Sequence, residues 1–303
     1  MATLAETNGI GRLSAVNKAY WKYFAALLLF GTNGIVAGFI DMSSHEIVLL
    51  RTLTGSLFLL AVYLFSGRAG GAKWNRKDFA YIAVSGVATG ASWMFLFEAY
   101  TRVGVSVATL AYYCGPVFVV VLTHFVFHER ITWIRCAGFL IVLSGLYLVN
   151  QHELLYGGLS WGLACGLLSA VLYAVMVVFN RRAVNTTGLR NSLVQLMFSF
   201  ATAAVFTLSR QGLSMEIPLR SILPVLVLGV VNTGAGCYLY FSSIPRLSAQ
   251  TVALCGYLEP VSALVFSAIF LHERLTAVQL AGTALILGGA VFGEFVKLRK
   301  RCA

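Results

Sequence analysis

Ten stretches of mostly apolar residues follow one another with only short connections, and this pattern leaves the chain few ways to fold. They are Trp21–Ile40, Ile47–Ser66, Phe79–Tyr100, Val105–Phe127, Ile131–Val149, Leu159–Phe179, Ser192–Leu208, Ile222–Ser242, Ser248–Leu271 and Leu275–Gly293. A helix needs about 20 apolar residues to cross a bilayer core. Inside hydrocarbon the backbone must satisfy its own hydrogen bonds, which leaves helices as the way to span. The seventh stretch is the weakest, being short and interrupted by Gln195. Only 11% of the 303 residues are charged and 59% are hydrophobic. A soluble domain carries about a quarter charged residues, so the surplus apolar surface faces lipid. The expected class is an all-α membrane protein of ten transmembrane helices.

The net charge of +11 does not point to nucleic acid, because the basic residues cluster in the connections. With the N-terminus in the cytoplasm, 17 of the 22 Lys and Arg fall on the inner side. Four fall outside (Arg102, Arg210, Arg220 and Arg274), and Arg51 lies within a span. That asymmetry predicts a multi-pass protein of the cytoplasmic membrane with both termini inside. The polar first 18 residues lack a cleavage pattern, so the first apolar run reads as a retained helix. The six Cys have no metal or redox spacing and read as packing residues. No metal, cofactor or catalytic motif is expected.

The chain repeats itself. Adding 144 to a residue number carries Thr89-Gly90-Ala91 onto Thr233-Gly234-Ala235, Pro116-Val117 onto Pro260-Val261, and Gly138 and Gly145 onto Gly282 and Gly289. His128-Glu129-Arg130 falls on His272-Glu273-Arg274. Over Val87–Gly145 the register gives 19 identities in 59 positions without a gap. The chain therefore divides into residues 1–150 and 151–303, each with five spans. Five is odd, so the second copy enters the membrane from the opposite side. Inverted repeats of this kind characterise secondary transporters, with the substrate site near the midplane between the halves.

The segment "FLFEAYTRVGVSVATLAYYCGPVFVVVLTHFVFHERIT" and its copy "YLYFSSIPRLSAQTVALCGYLEPVSALVFSAIFLHERLT" resemble the paired EamA repeats of the drug/metabolite transporter superfamily. The resemblance runs from about Trp21 to Phe295. It implies ten helices in two inverted halves and export or exchange of small metabolites such as amino acids or amines.

Glu259 stands near the middle of the ninth stretch. A carboxylate there is costly unless paired, protonated or wetted, and by default it marks a transport path. Pro260 follows it and is expected to kink the helix, freeing the carbonyl of Gly256, as Pro116 does in the first half. The counterpart of Glu259 is Gly115, so the charge is one-sided. A site for a cationic group or a proton is one reading, and a protonated structural Glu is the other. Aromatic residues at similar depth are Phe30, Trp93, Tyr112, Tyr113, Tyr173, Tyr238 and Tyr257. They suit a substrate cation or ring, or plain helix packing. Asn33, Thr89, Asn232 and Thr233 supply neutral hydrogen bonds to a solute or between helices. Arg51 and Glu98 both fall in the outer leaflet and are expected to form a structural or gating ion pair, the alternative being Arg51 snorkelling alone.

These features together point to a secondary transporter of small organic solutes, with the bilayer and a small molecule as partners and protons as a candidate coupling ion. Exchange of phosphorylated or nucleotide-linked metabolites is the alternative within transport. An intramembrane enzyme is the alternative outside it.

Overall fold

The computed structural model describes residues 2–66, 75–103, 108, 111–128, 132–154, 161–212, 215–270 and 276–299. Among the described residues the fold is helical, with no strand. The helices are α1 (Ala2–Gly31), α2 (Asn33–Ala37), α3 (Ser44–Phe65), α4 (Arg76–Val103), α5 (Gly115–Phe127), α6 (Trp133–Leu154), α7 (Trp161–Arg182) and α8 (Leu189–Gln211). After α8 come α9 (Ile222–Leu226), a π-helical segment (Val227–Ala235) and α10 (Gly236–Ser243) in one continuous rod. Then follow α11 (Ala249–Cys255), α12 (Leu258–Phe270) and α13 (Ala277–Arg299). Among the described residues, six helical runs are long and apolar enough to cross a membrane: α3, α4, α7, α8, Leu219–Arg246 and Ala249–Phe270. Shorter apolar stretches lie at Gly115–Phe127, Cys136–Leu148 and Leu280–Gly289.

The helices differ from the apolar runs where the backbone breaks. The first run ends as an α-helix at Gly31 and resumes as the single turn of α2. The ninth run is two helices, α11 and α12, separated at Gly256 and Tyr257. Its proline is not a mid-helix kink. Pro260 sits in the first turn of α12, where a missing N–H costs nothing. The Gly256 carbonyl, expected to be free, accepts the Glu259 N–H at 3.1 Å. Pro116 likewise opens α5. The eighth-run rod carries the other irregularity, its π segment. The run interrupted by Gln195 extends further than its apolar stretch, with glycines at φ 69° and 70° (Gly188 and Gly212) bounding it. The connections holding Glu129 and Glu273 lie outside the described residues.

Packing follows the repeat register. Helix α6 lies along α13, α4 along α7 and α8, and the π segment and α10 along α3 and α1. Helix α5 meets α7, as α12 meets α1. A Cβ on Gly145 would meet the Gly282 carbonyl at 2.6 Å, and one on Gly289 would meet the Gly138 carbonyl at 2.8 Å. These four glycines are two equivalent pairs under the offset of 144. Gly138 opposes Gly289 while Gly145 opposes Gly282, so these two copies of one helix cross antiparallel. Small residues let the backbones approach where lipid offers no hydrophobic push. A second meeting of equivalent residues lies at the two helix breaks, where the Tyr257 hydroxyl donates to the Tyr113 carbonyl at 3.0 Å.

Candidate functional site

Close packing of α3 on the π segment places the first charged group. A Cβ on Gly55 would meet the Gly229 carbonyl at 2.9 Å, so only glycine permits this approach. One turn away, Arg51 Nε donates to Thr233 Oγ1 at 2.9 Å, and Thr233 Oγ1 donates onward to the Leu228 carbonyl at 2.8 Å. The guanidinium lies over the Trp93 ring, 5.0 Å from its centre. The second charged group, Glu259, occupies the first turn of α12, where the helix dipole favours a carboxylate. Its counterpart Gly115 bears no side chain because the Tyr173 ring fills that place, 2.8 Å from a built Cβ.

Both groups face one cavity of about 770 Å³ between the two halves. Of the residues singled out in the sequence, Glu259, Arg51, Tyr112, Tyr113, Trp93, Tyr173, Asn33, Thr89 and Phe30 line it. The cavity reaches the end of the bundle that carries Ile40, Met42, Ser44 and Thr101. Among the described residues no ion pair joins Arg51 to Glu259.

Besides Thr233, bonded to Arg51, four of these residues stand elsewhere. Tyr257 is fully buried behind the cavity and bonded to Tyr113. Asn232 bonds the break between α1 and α2, donating to the Leu29 carbonyl, Thr32 Oγ1 and Asn33 Oδ1 at 3.0, 2.8 and 3.1 Å. Tyr238 lines a separate crevice with Phe58, Val62 and Leu189, and Lys22 Nζ sits 5.1 Å from its ring centre. Glu98 does not pair with Arg51: it takes Arg102 at 3.2 Å and Arg210 at 3.4 Å. Arg102 lies one turn along the same helix from Glu98, and α8 brings Arg210 to it.

Sequence reasoning missed the opposite end of the cavity. Gln195 Nε2 donates to Thr89 Oγ1 at 2.7 Å, and Thr89 donates to the Ser85 carbonyl at 2.9 Å. Gln195 is 144 residues after Arg51, as Thr233 is after Thr89, so one bond is made twice with different side chains. From Gln195 a chain of amides continues. Asn180 Nδ2 donates to Gln195 Oε1 and to Asn191 Oδ1, each at 3.1 Å, and Asn191 Nδ2 donates to the Phe241 carbonyl at 3.2 Å. All three amides are fully buried. Beside them the Tyr173 and Tyr240 hydroxyls meet at 3.2 Å, with the Tyr23 ring 5.2 Å from that of Tyr240. The signal lies in the repeat offset, which pairs Gln195 with Arg51 outside the more similar spans.

The π segment has a simple cause. A Cβ on Gly86 would meet the Gln195 carbonyl and Phe198, and one on Gly229 would meet the Arg51 carbonyl and Thr54. Arg51 and Thr54 become Gln195 and Phe198 under the offset, so Gly86 and Gly229 hold equivalent places. Two residues separate Gly86 from Thr89, whereas three separate Gly229 from Thr233. The second copy has one residue more, and a π turn is how a helix accommodates it. Asn232 lies in that longer stretch.

Comparison with known proteins fits this arrangement. Residues 17–151 and 160–293 each match the model of the "EamA-like transporter family". An uncharacterized transporter of Bacillus subtilis (strain 168), YxxF, is 26% identical over 281 residues, 88% of this chain and 86% of its own. A "Probable amino-acid metabolite efflux pump" of Salmonella typhimurium (strain LT2) is 26% identical over 200 residues, 62% of this chain and 67% of its own. A solved structure described only as "Crystal structure of protein" shares the fold, with a TM-score of 0.78 at 21% identity over 92% of this chain and 98% of that one.

Proposed function

This chain belongs to the EamA-like transporter family, and from that premise we propose that it exports amino acids or related amines across the cytoplasmic membrane by alternating access. The observation that carries the reading is Glu259, a carboxylate facing an aromatic-lined cavity between the halves without a protein cation bonded to it among the described residues. An ammonium group supplies that charge, and the rings of Trp93, Tyr112 and Tyr173 offer faces to a cation or an apolar side chain. The efflux-pump relative supports the same substrate class. Exchange of phosphorylated solutes asks for several cations around the site, and Arg51 is the single cation among the described lining residues.

Two five-helix repeats of opposite orientation give the motion. The double family match, the antiparallel glycine crossing of α6 and α13 and the odd number of spans support this arrangement. With both termini cytoplasmic, the cavity mouth at Ser44 and Thr101 is external and this state is outward-open. The amide cluster of Asn180, Asn191 and Gln195 then closes the cytoplasmic side, and opening that side means parting those amides. The test is counterflow in proteoliposomes loaded with L-amino acids or their amines. Exchange of at least one labelled amino acid or amine is expected, and no exchange across the panel would refute the reading. Single cysteines placed near Glu129 and Glu273 should label from opposite faces of the membrane. Labelling from one face would refute the inversion.

A further inference from the structure

Arg51 is only 8% exposed, yet it lies on the cavity wall. Its Nε is bound to Thr233 and its plane rests on Trp93. A guanidinium carries five N–H donors, so the bond to Thr233 leaves four for another acceptor. The carboxylate at suitable depth, Glu98, is held instead by Arg102 and Arg210. A buried guanidinium without an anion is expensive, and its planar fork matches a carboxylate in two parallel bonds. Across the same cavity Glu259 is a carboxylate without a bonded cation among the described residues.

We propose that Arg51 is a substrate-binding residue that holds the carboxylate of a free α-amino acid whose ammonium group sits at Glu259. The proposal rests on reading this cavity as the transport site, and it narrows the substrate class to zwitterions. A zwitterion neutralises both wall charges at once. An amine leaves Arg51 unmatched, and a carboxylic acid leaves Glu259 unmatched. The Thr233 bond and the Trp93 face fix the guanidinium plane, so the fork is aimed before the ligand arrives.

The experiment uses the purified full chain and two chemical triads. One is L-phenylalanine, 2-phenylethylamine and 3-phenylpropanoate; the other is L-leucine, 3-methylbutylamine and 4-methylpentanoate. Affinities come from thermal stabilisation and from competition in counterflow. Wild-type protein should bind the better amino acid more tightly than its amine by about tenfold to a hundredfold, the range for charge-assisted hydrogen bonds. L-Phenylalanine methyl ester, which keeps the ammonium group and lacks the carboxylate charge, should bind as weakly as the amine. Arg51→Gln should collapse the amino-acid-to-amine ratio towards one, and Arg51→Lys should restore part of it. Equal wild-type affinity for amino acid, ester and amine would overturn the Arg51 assignment while leaving amine export standing. Failure of all six compounds to bind or exchange would remove the proposed substrate class and this assignment with it. The ester comparison needs no variant, so poor folding of Arg51→Gln cannot leave the question open.

Discussion

The bond from Arg51 to Thr233 and the bond from Gln195 to Thr89 occupy equivalent places in the two halves, yet their surroundings have diverged. Around Arg51 the helices stand apart over a cavity, and Ile47 lies one turn away. Around Gln195 the equivalent position is Asn191, and the seam is shut by amides that satisfy one another. Neutral amides can close a dry seam because each finds a donor or acceptor at little desolvation cost. A guanidinium cannot close one unless an anion enters with it. The two repeats thus share one backbone frame, and a few different side chains leave one seam open on the cavity and the other closed by amides. The pair Glu259 and Gly115 follows the same rule, with a Tyr173 ring where the second carboxylate would stand.

Gln195→Arg attacks that contrast most strongly, since it puts the charge of one seam into the other. An unpaired charge in the sealed seam should cost about 3–5 kcal/mol, read as a fall in thermal or denaturant stability of the purified protein. Unchanged stability would mean that the seam already admits water or ions. Glu259→Gln makes the two helix breaks equally neutral. It should weaken binding of an amino acid by about 1–3 kcal/mol in a direct binding assay. Protonating Glu259 removes the same charge, so acid should weaken substrate binding in the wild type and leave the Gln variant flat. A variant that keeps the wild-type pH profile would make this carboxylate structural.

Gly145→Ala and Gly289→Ala test the equivalence of the frame itself. Each Cβ would press on the opposing glycine carbonyl, so each should cost about 1–3 kcal/mol, and the two costs should agree. Unequal losses would show that the crossing is not symmetric. The finest comparison is Thr233→Val against Thr89→Val. The first loses a bond from a charged donor, about 1.5–3 kcal/mol, and the second a neutral one, about 0.5–1.5 kcal/mol. Equal costs in unfolding measurements would mean that Arg51 draws nothing extra from Thr233.

Much of this was legible in the residues. Apolar run lengths gave the helical class and six long spans among the described residues, and the repeat offset gave the glycines that meet at the crossing of α6 and α13. Glu259 was visible because ionisation is so rare in such a run. The rest required direction around the helix axis, which depth does not supply. Tyr238 follows the cavity-lining Cys237 but points to the crevice beside Lys22, and Glu98 follows the cavity-lining Phe97 but turns to Arg210. Gln195 looked like a flaw in a weak span because a polar residue reads as a defect until its partner on another helix is known. Asn232 had no visible reason, since the gap-free register begins at Val87, beyond the glycine where the counting changes.

One residue more in an α-helix turns everything beyond it by about 100°. The rod containing Asn232 must meet two neighbours that ask for different rotational settings. Near Gly229 it lies face to face with α3, and from Gly236 onward it offers Tyr240 to the Phe30 and Tyr23 rings. The wide turn between them acts as a phase shim, taking up the surplus angle within a single uninterrupted rod. Deleting Asn232 would remove the shim and swing the Tyr240 edge about a quarter-turn away from the rings it now faces. A spare residue, by this measure, is what keeps two copies of one gene segment aimed at the same hole.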